Sequence, residues 1–102
     1  MDYEAFIAER IAQLRVQKGV SARDMSLSIG QSENYINMIE NRRALPSVNV
    51  LFYICEYLDV TPQEFFEQGN PYPKLLNDLV TVLKTLDEEA LGNLLGIARK
   101  MQ

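Results

Sequence analysis

"SIGQSENYINMIENRR", residues 28–43, decides how this chain is read. Apolar residues recur at helical spacing on both sides of a single glycine: Met25 and Ile29 before Gly30, Ile36 and Ile39 after it. Two helices that cross steeply through a turn of three or four residues make strict demands. A small residue must stand where the backbones approach, and the turn needs a residue free to adopt positive φ. Apolar side chains must also pin both helices to a core. Ser26, Gly30 and the four apolar residues meet these demands in the right order.

Working outward, Phe6, Ile7, Ile11 and Leu14 predict a first helix over residues 3–18, closed by Gly19. Ser21 with Asp24 resembles a capping box and opens a second helix over 22–29, which Gly30 ends. Ser32 is the expected N-cap of a third helix running to Glu40, and Asn41 is expected to take the left-handed conformation after it. Ser47 starts a fourth helix, "VNVLFYICEYL", and Thr61, Pro62 and Glu64 give a strong start to a short fifth. "GNPYP" (Gly69–Pro73) then breaks the chain. It divides a domain of residues 1–69 from an extension of residues 70–102. In the extension, Leu75, Leu76, Leu79, Val82, Leu83 and Leu86 form one helical stripe, and Leu91, Leu94, Leu95, Ala98 and Met101 form another behind an Asp87 cap. The chain therefore reads as all-α: five helices followed by two C-terminal amphipathic helices.

A length of 102 residues suits one small core. The sequence has no histidine and one cysteine, Cys55, which removes Cys–His catalysis, an internal disulfide and any ordinary zinc site. No enzyme and no cofactor are expected. The apolar runs are too short to span a bilayer and the start carries acids rather than bases, so a cytoplasmic protein is expected. Net charge is −4, which by itself disfavours nucleic acid. The distribution says otherwise. Arg10, Arg15, Lys18 and Arg23 fall in a stretch without acids, and Arg42 and Arg43 follow the turn.

Taken together, "ERIAQLRVQKGVS", "IGQSENYINMIENRRALPS" and "YLDVTPQEFF" resemble the phage-repressor-like (Xre/Cro-like) helix-turn-helix family over about Ile7 to Phe66. The resemblance implies a repressor-like five-helix DNA-binding domain whose third helix enters the major groove, usually in a dimer that regulates transcription. Carried onto this sequence, it puts base reading at Ser32, Glu33, Asn34, Asn37 and Met38. It puts phosphate contact at Arg15, Ser21, Arg42 and Arg43, with Lys18 and Arg23 assisting from the same side. Separately, Gln31 and the exposed N–H groups at the start of the third helix are expected to hold a phosphate. Asn34 suits adenine and Glu33 the cytosine amino group. The chain departs from the family pattern at Ala22, Leu27, Gln31 and Glu33.

Phe52, Tyr53, Tyr57, Phe65 and Phe66 form a larger aromatic group than a five-helix core of this size needs. The tail of the same chain or of a partner is expected to cover it, and Leu27, Tyr53, Tyr57, Phe65 and Phe66 are candidates for a subunit interface. The resulting expectation is a homodimeric repressor that binds double-stranded DNA. The alternative is a protein-interaction module, antitoxin-like or anti-repressor, that kept the fold without binding DNA.

Overall fold

Short polar side chains start most of the helices. In a computed structural model describing residues 2–102, Asp2, Ser21, Ser47, Thr61 and Asp87 each accept a backbone N–H from the first turn of the helix they precede. The elements in order are α1 (Tyr3–Lys18), α2 (Ala22–Ser28), α3 (Tyr35–Glu40), α4 (Val48–Tyr57), α5 (Pro62–Phe66), α6 (Pro73–Leu83) and α7 (Glu88–Lys100). The described residues contain no strand. Thr61 and Glu64 form a reciprocal box, with Glu64 N–H donating to Thr61 Oγ1 at 3.1 Å and Thr61 N–H to Glu64 Oε1 at 2.9 Å. At α2 the cap is the single bond from Asp24 N–H to Ser21 Oγ, 3.0 Å.

The third helix corrects the sequence reading. It begins at Tyr35 rather than just after Ser32, and its N-cap residue, Asn34, makes no side-chain capping bond. Ser32 contributes only its carbonyl, which accepts from Tyr35 N–H at 3.0 Å. The cap comes from another helix: Ser26 Oγ on α2 accepts from Ile36 N–H at 2.9 Å and donates to the Ala22 carbonyl at 2.7 Å. Ser26 is fully buried. Its small size permits the close approach of α2 and α3, and its hydroxyl satisfies an N–H that the short helix would otherwise leave unpaired.

Helix ends are corrected as well. Asn41 keeps φ at −92°, and the left-handed residue is Arg42, φ 60°. Arg43 N–H reaches back to the Met38 carbonyl at 2.8 Å and Arg42 N–H to that of Ile39 at 3.0 Å, a Schellman closure. Asp59 closes α4 the same way at φ 59°. A non-glycine residue in this region is strained by about 1–2 kcal/mol, partly offset by the entropy a glycine would lose. Asp59→Gly is therefore expected to stabilise the protein by about 0.5–1 kcal/mol, read as a higher urea midpoint at unchanged slope.

Ile11, Leu14, Met25, Ile36, Ile39, Ile54, Cys55, Leu58, Val60 and Phe65 form the core, and α3 packs against both α1 and α2. Burial pushes the Cys55 thiol up to about 11, which keeps it neutral among these side chains. Arg10 is buried beside this core. Its Nε donates to the Phe65 carbonyl at 2.7 Å, Nη2 to the Glu64 carbonyl at 2.7 Å and Nη1 to the Asn70 carbonyl at 2.8 Å. One side chain of α1 thus answers the open carbonyls at the end of α5 and fastens the following linker. Gln17 adds a second fastening, from Nε2 to the Pro71 carbonyl at 2.6 Å.

Beyond that linker the packing changes character. Only Pro73 of α6 is buried, and no residue of α7 is. Leu75, Leu79, Val82, Leu95 and Ile97 are each more than half exposed. The molecule is accordingly long, 50 × 28 × 22 Å. The tail does not cover the aromatic group within its own chain: Tyr53, Phe52 and Leu27 remain about half exposed. Gly92 and Gly96 have nothing within 4 Å of the space a Cβ would take, so they serve no close approach inside the tail.

Candidate nucleic-acid interface

The outward side of the turn is assembled from α1, α2, α3 and the Schellman closure. Met25 and Ser26 anchor α2, and Ile36 and Ile39 anchor α3. That leaves Ser32, Glu33, Asn34, Asn37 and Met38 facing solvent together. Asparagine amides run along this face in a chain. Asn37 Nδ2 donates to Asn34 Oδ1 at 3.3 Å, and Asn41 Nδ2 donates to Asn37 Oδ1 at 2.9 Å and to the Asn37 carbonyl at 2.7 Å. The chain engages the Asn34 oxygen and leaves the amino group of this exposed residue without a hydrogen bond among the described residues, free to donate. Asn41 was not among the residues expected at this site.

Most of the surrounding cations have partners. Arg15 grips Glu40 with two parallel bonds, Nε to Oε2 at 2.7 Å and Nη2 to Oε1 at 2.9 Å, and donates Nη1 to the Val20 carbonyl at 3.0 Å. The pair is mostly buried, and its hydrogen bond to Glu40 raises the Arg15 pKa above its ordinary value. Its position joins α1 to the end of α3, so Arg15 holds the reading helix in place. Lys18 donates Nζ to the Tyr57 carbonyl at 2.6 Å, lies 4.3 Å over the Tyr57 ring and sits 3.8 Å from Asp59. It compensates the C-terminus of α4.

Arg23 and Glu33 pair at 3.1 Å, and Arg42 and Glu9 pair at 3.4 Å. Both pairs are well exposed, and exposed pairs hold by only about 0–1 kcal/mol. A phosphate can therefore compete for either arginine. The guanidinium of Arg43 has no hydrogen bond or ion pair among the described residues and is exposed beside α3. Glu33 is less of an obstacle than its charge suggests. Arg23 neutralises it through Oε2 and leaves Oε1 able to accept.

Two expected contributors are placed differently. Ser21 Oγ is engaged as the cap of α2. Gln31 is half-buried with its N–H given to the Ser26 carbonyl at 2.9 Å, and Ser26 and Ser32 take the N–H groups of Ile36 and Tyr35. The start of α3 thus has fewer free N–H groups than an isolated helix end would offer. Among the interface candidates, Phe65 is fully buried in its own core, which corrects its assignment to a subunit surface. Tyr57 is half-buried under Lys18, and Phe66 stacks on Phe6 with ring centroids 6.0 Å apart. Leu27 and Tyr53 stay open.

Arg10, counted in the sequence among the basic residues near the turn, is buried on backbone carbonyls and adds nothing to that face, and the sequence did not mark Glu40 as the partner of Arg15. Arg10 lies on an otherwise apolar face of α1, and a charge at such a position was the available signal. Among the described residues, no group of three or more His, Cys, Asp or Glu is arranged to hold a metal, and no helix is long and apolar enough to cross a membrane.

Comparison with known proteins agrees with this geometry. A family model described as helix-turn-helix matches residues 11–65. An uncharacterized HTH-type transcriptional regulator, y4dJ of Sinorhizobium fredii, is 26% identical over 73 residues, which covers 72% of this chain and 95% of that protein. No solved structure gives a significant match.

Proposed function

Because the chain belongs to the helix-turn-helix family, we propose that it is a cytoplasmic transcriptional repressor that binds DNA as a homodimer, with α3 of each copy in the major groove. Residues 1–69 form the DNA-binding domain and residues 70–102 the dimerisation element. The reading rests on one observation above all: α3 is held on its inner side by Ser26 of α2 and by Arg15 of α1 through Glu40, while its outer face presents ordered asparagine amides. Asn34 and Asn37 read base edges, and Glu33 accepts from a cytosine amino group. Arg43 contacts phosphate directly, and Arg23 and Arg42 join it by exchanging a carboxylate for a phosphate. Arg15 acts by positioning α3. Repression follows by occlusion, with two reading helices in successive major grooves about 34 Å apart.

Fluorescence anisotropy with the upstream region of the gene, and with random duplex, over a salt series tests this. Saturable binding that weakens with salt at a log–log slope of about −0.9 for each neutralised phosphate is the expected result. Glu33→Gln should tighten binding to random duplex roughly threefold or more, since it removes one negative charge from the groove face and frees Arg23. The same substitution should relax discrimination at its base position by about 1–3 kcal/mol.

A second reading has one observation in its favour. Arg15, Lys18, Arg23 and Arg42 are all partnered by carboxylates, which lowers the positive potential of the face. The fold would then serve as a protein-interaction module. Absence of DNA binding at low salt by a folded protein would decide for that reading.

A further inference from the structure

The tail exposes more apolar surface than its own chain can use. Leu75, Leu76, Leu79, Val80 and Val82 of α6 and Leu91, Leu94, Leu95 and Ile97 of α7 are each more than one-third exposed, and Met101 follows them. Summed over the two helices they expose on the order of 1,000 Å², near the ~800 Å² that each partner contributes to a stable interface. The area fits one partner of similar size and similar character.

The charges of α7 say which partner. Glu88 and Glu89 occupy its first turn, and Arg99 and Lys100 its last. Each complements the helix macrodipole, which makes the helix electrically polar from end to end. None of the four has an ion-pair partner among the described residues. Glu88 and Arg99 stand eleven positions apart in the sequence, about three helical turns, so both flank the same edge of the Leu91–Leu94–Leu95–Ala98 stripe. In an antiparallel helix pair, an edge meets the same edge of its partner running the other way. Glu88 then faces Arg99 of a second copy, and the reverse contact repeats by symmetry. A parallel pair would set acids against acids and bases against bases.

We infer that α7 pairs antiparallel with α7 of a second copy of this chain, with the apolar stripes in contact and the acidic first turn of each helix against the basic last turn of the other. The α6 stripes extend the buried surface on either side. This deepens the dimeric reading above and rests on it.

The test is a charge exchange read by sedimentation velocity. Variant one is Glu88→Lys with Glu89→Lys, and variant two is Arg99→Glu with Lys100→Glu. Each alone makes both ends of its pair repulsive, and its dimer should weaken roughly tenfold or more. Mixed in equal amounts they should form a dimer again, because each end of one variant meets its opposite in the other. Recovery in the mixture also shows that neither variant has lost α7 by fraying. Variants that dimerise as tightly as the wild type overturn the inference, as does a mixture that stays monomeric. So does a wild-type protein that is monomeric at about 100 μM, far above the range of a specific dimer. DNA anisotropy on the same samples separates the two readings. Intact DNA binding with a failed charge exchange overturns the antiparallel pairing alone, and a successful exchange without DNA binding leaves the pairing supported and overturns the DNA reading.

Discussion

Arg10→Ala is expected to lower the melting temperature by roughly 15 °C, the largest effect of any single substitution considered for stability. The guanidinium is buried and holds three backbone carbonyls, those of Glu64, Phe65 and Asn70, at 2.7–2.8 Å. Burial lowers its pKa from the ordinary value, with the charge of Glu67 acting in the opposite direction, so desolvation already costs something in the native state. Truncation relieves that cost but strands the carbonyls of Phe65 and Asn70, leaves that of Glu64 with only the Glu67 N–H at 3.3 Å, and opens a gap beside Phe65. Hydrogen bonds to a charged group contribute about 1.5–3 kcal/mol each, and removing one partner from a buried charged network costs about 3–5 kcal/mol. A net loss of about 3 kcal/mol follows. Arg10→Lys keeps the charge but not the fork of donors, and its loss should be intermediate. Thermal and urea denaturation measure both, and a loss below about 1 kcal/mol for the alanine variant would mean that water replaces the guanidinium without difficulty.

Arg43→Ala is expected to weaken DNA binding roughly tenfold at moderate salt and to reduce the salt slope by about 0.9, without changing stability. Its guanidinium has no partner to lose within the described residues, so the substitution removes only what the DNA would meet. Arg15→Ala provides the contrast. It breaks a mostly buried two-bond clamp to Glu40 and leaves that carboxylate unpaired at the end of α3. It should weaken DNA binding as well, accompanied by a destabilisation of about 2–3 kcal/mol. Because its donors are engaged within the fold, the salt slope should stay nearly constant. Anisotropy across a salt series, combined with a melting curve, distinguishes a cation that touches phosphate from one that positions the helix that does.

The contrast between these two arginines also marks how far the sequence could be read. Helical periodicity and capping residues are local properties, and they were enough for seven helices and for the turn at Gly30. What they missed depends on atoms far apart in the chain. The cap of α3 lies on α2, ten positions earlier in sequence, so the nearby Ser32 looked like the better candidate. Asparagine takes positive φ more readily than other residues that carry a side chain, yet the left-handed position falls one residue past Asn41, on Arg42. The basic residues near the turn are plain in the sequence, but their carboxylate partners come from α1, the turn before α3, the end of α3 and the end of α4, which only the fold brings together. Phe65 and Phe66 are neighbours in sequence, and their opposite burial depends on how α5 meets α1.

The linker between α5 and α6 has a final consequence. Arg10 and Gln17 bind the carbonyls of Asn70 and Pro71 along the length of α1. A tail joined through free chain would let two domains swing to meet whatever DNA they found. Here the direction in which the tail leaves the domain is fixed by the same helix that braces α3. In an assembled pair the protein itself becomes a caliper. One base pair inserted between half-sites turns one of them by about 35° around the axis, and a stiff caliper cannot follow it. Spacing, as much as base identity, would then define which sites the protein recognises.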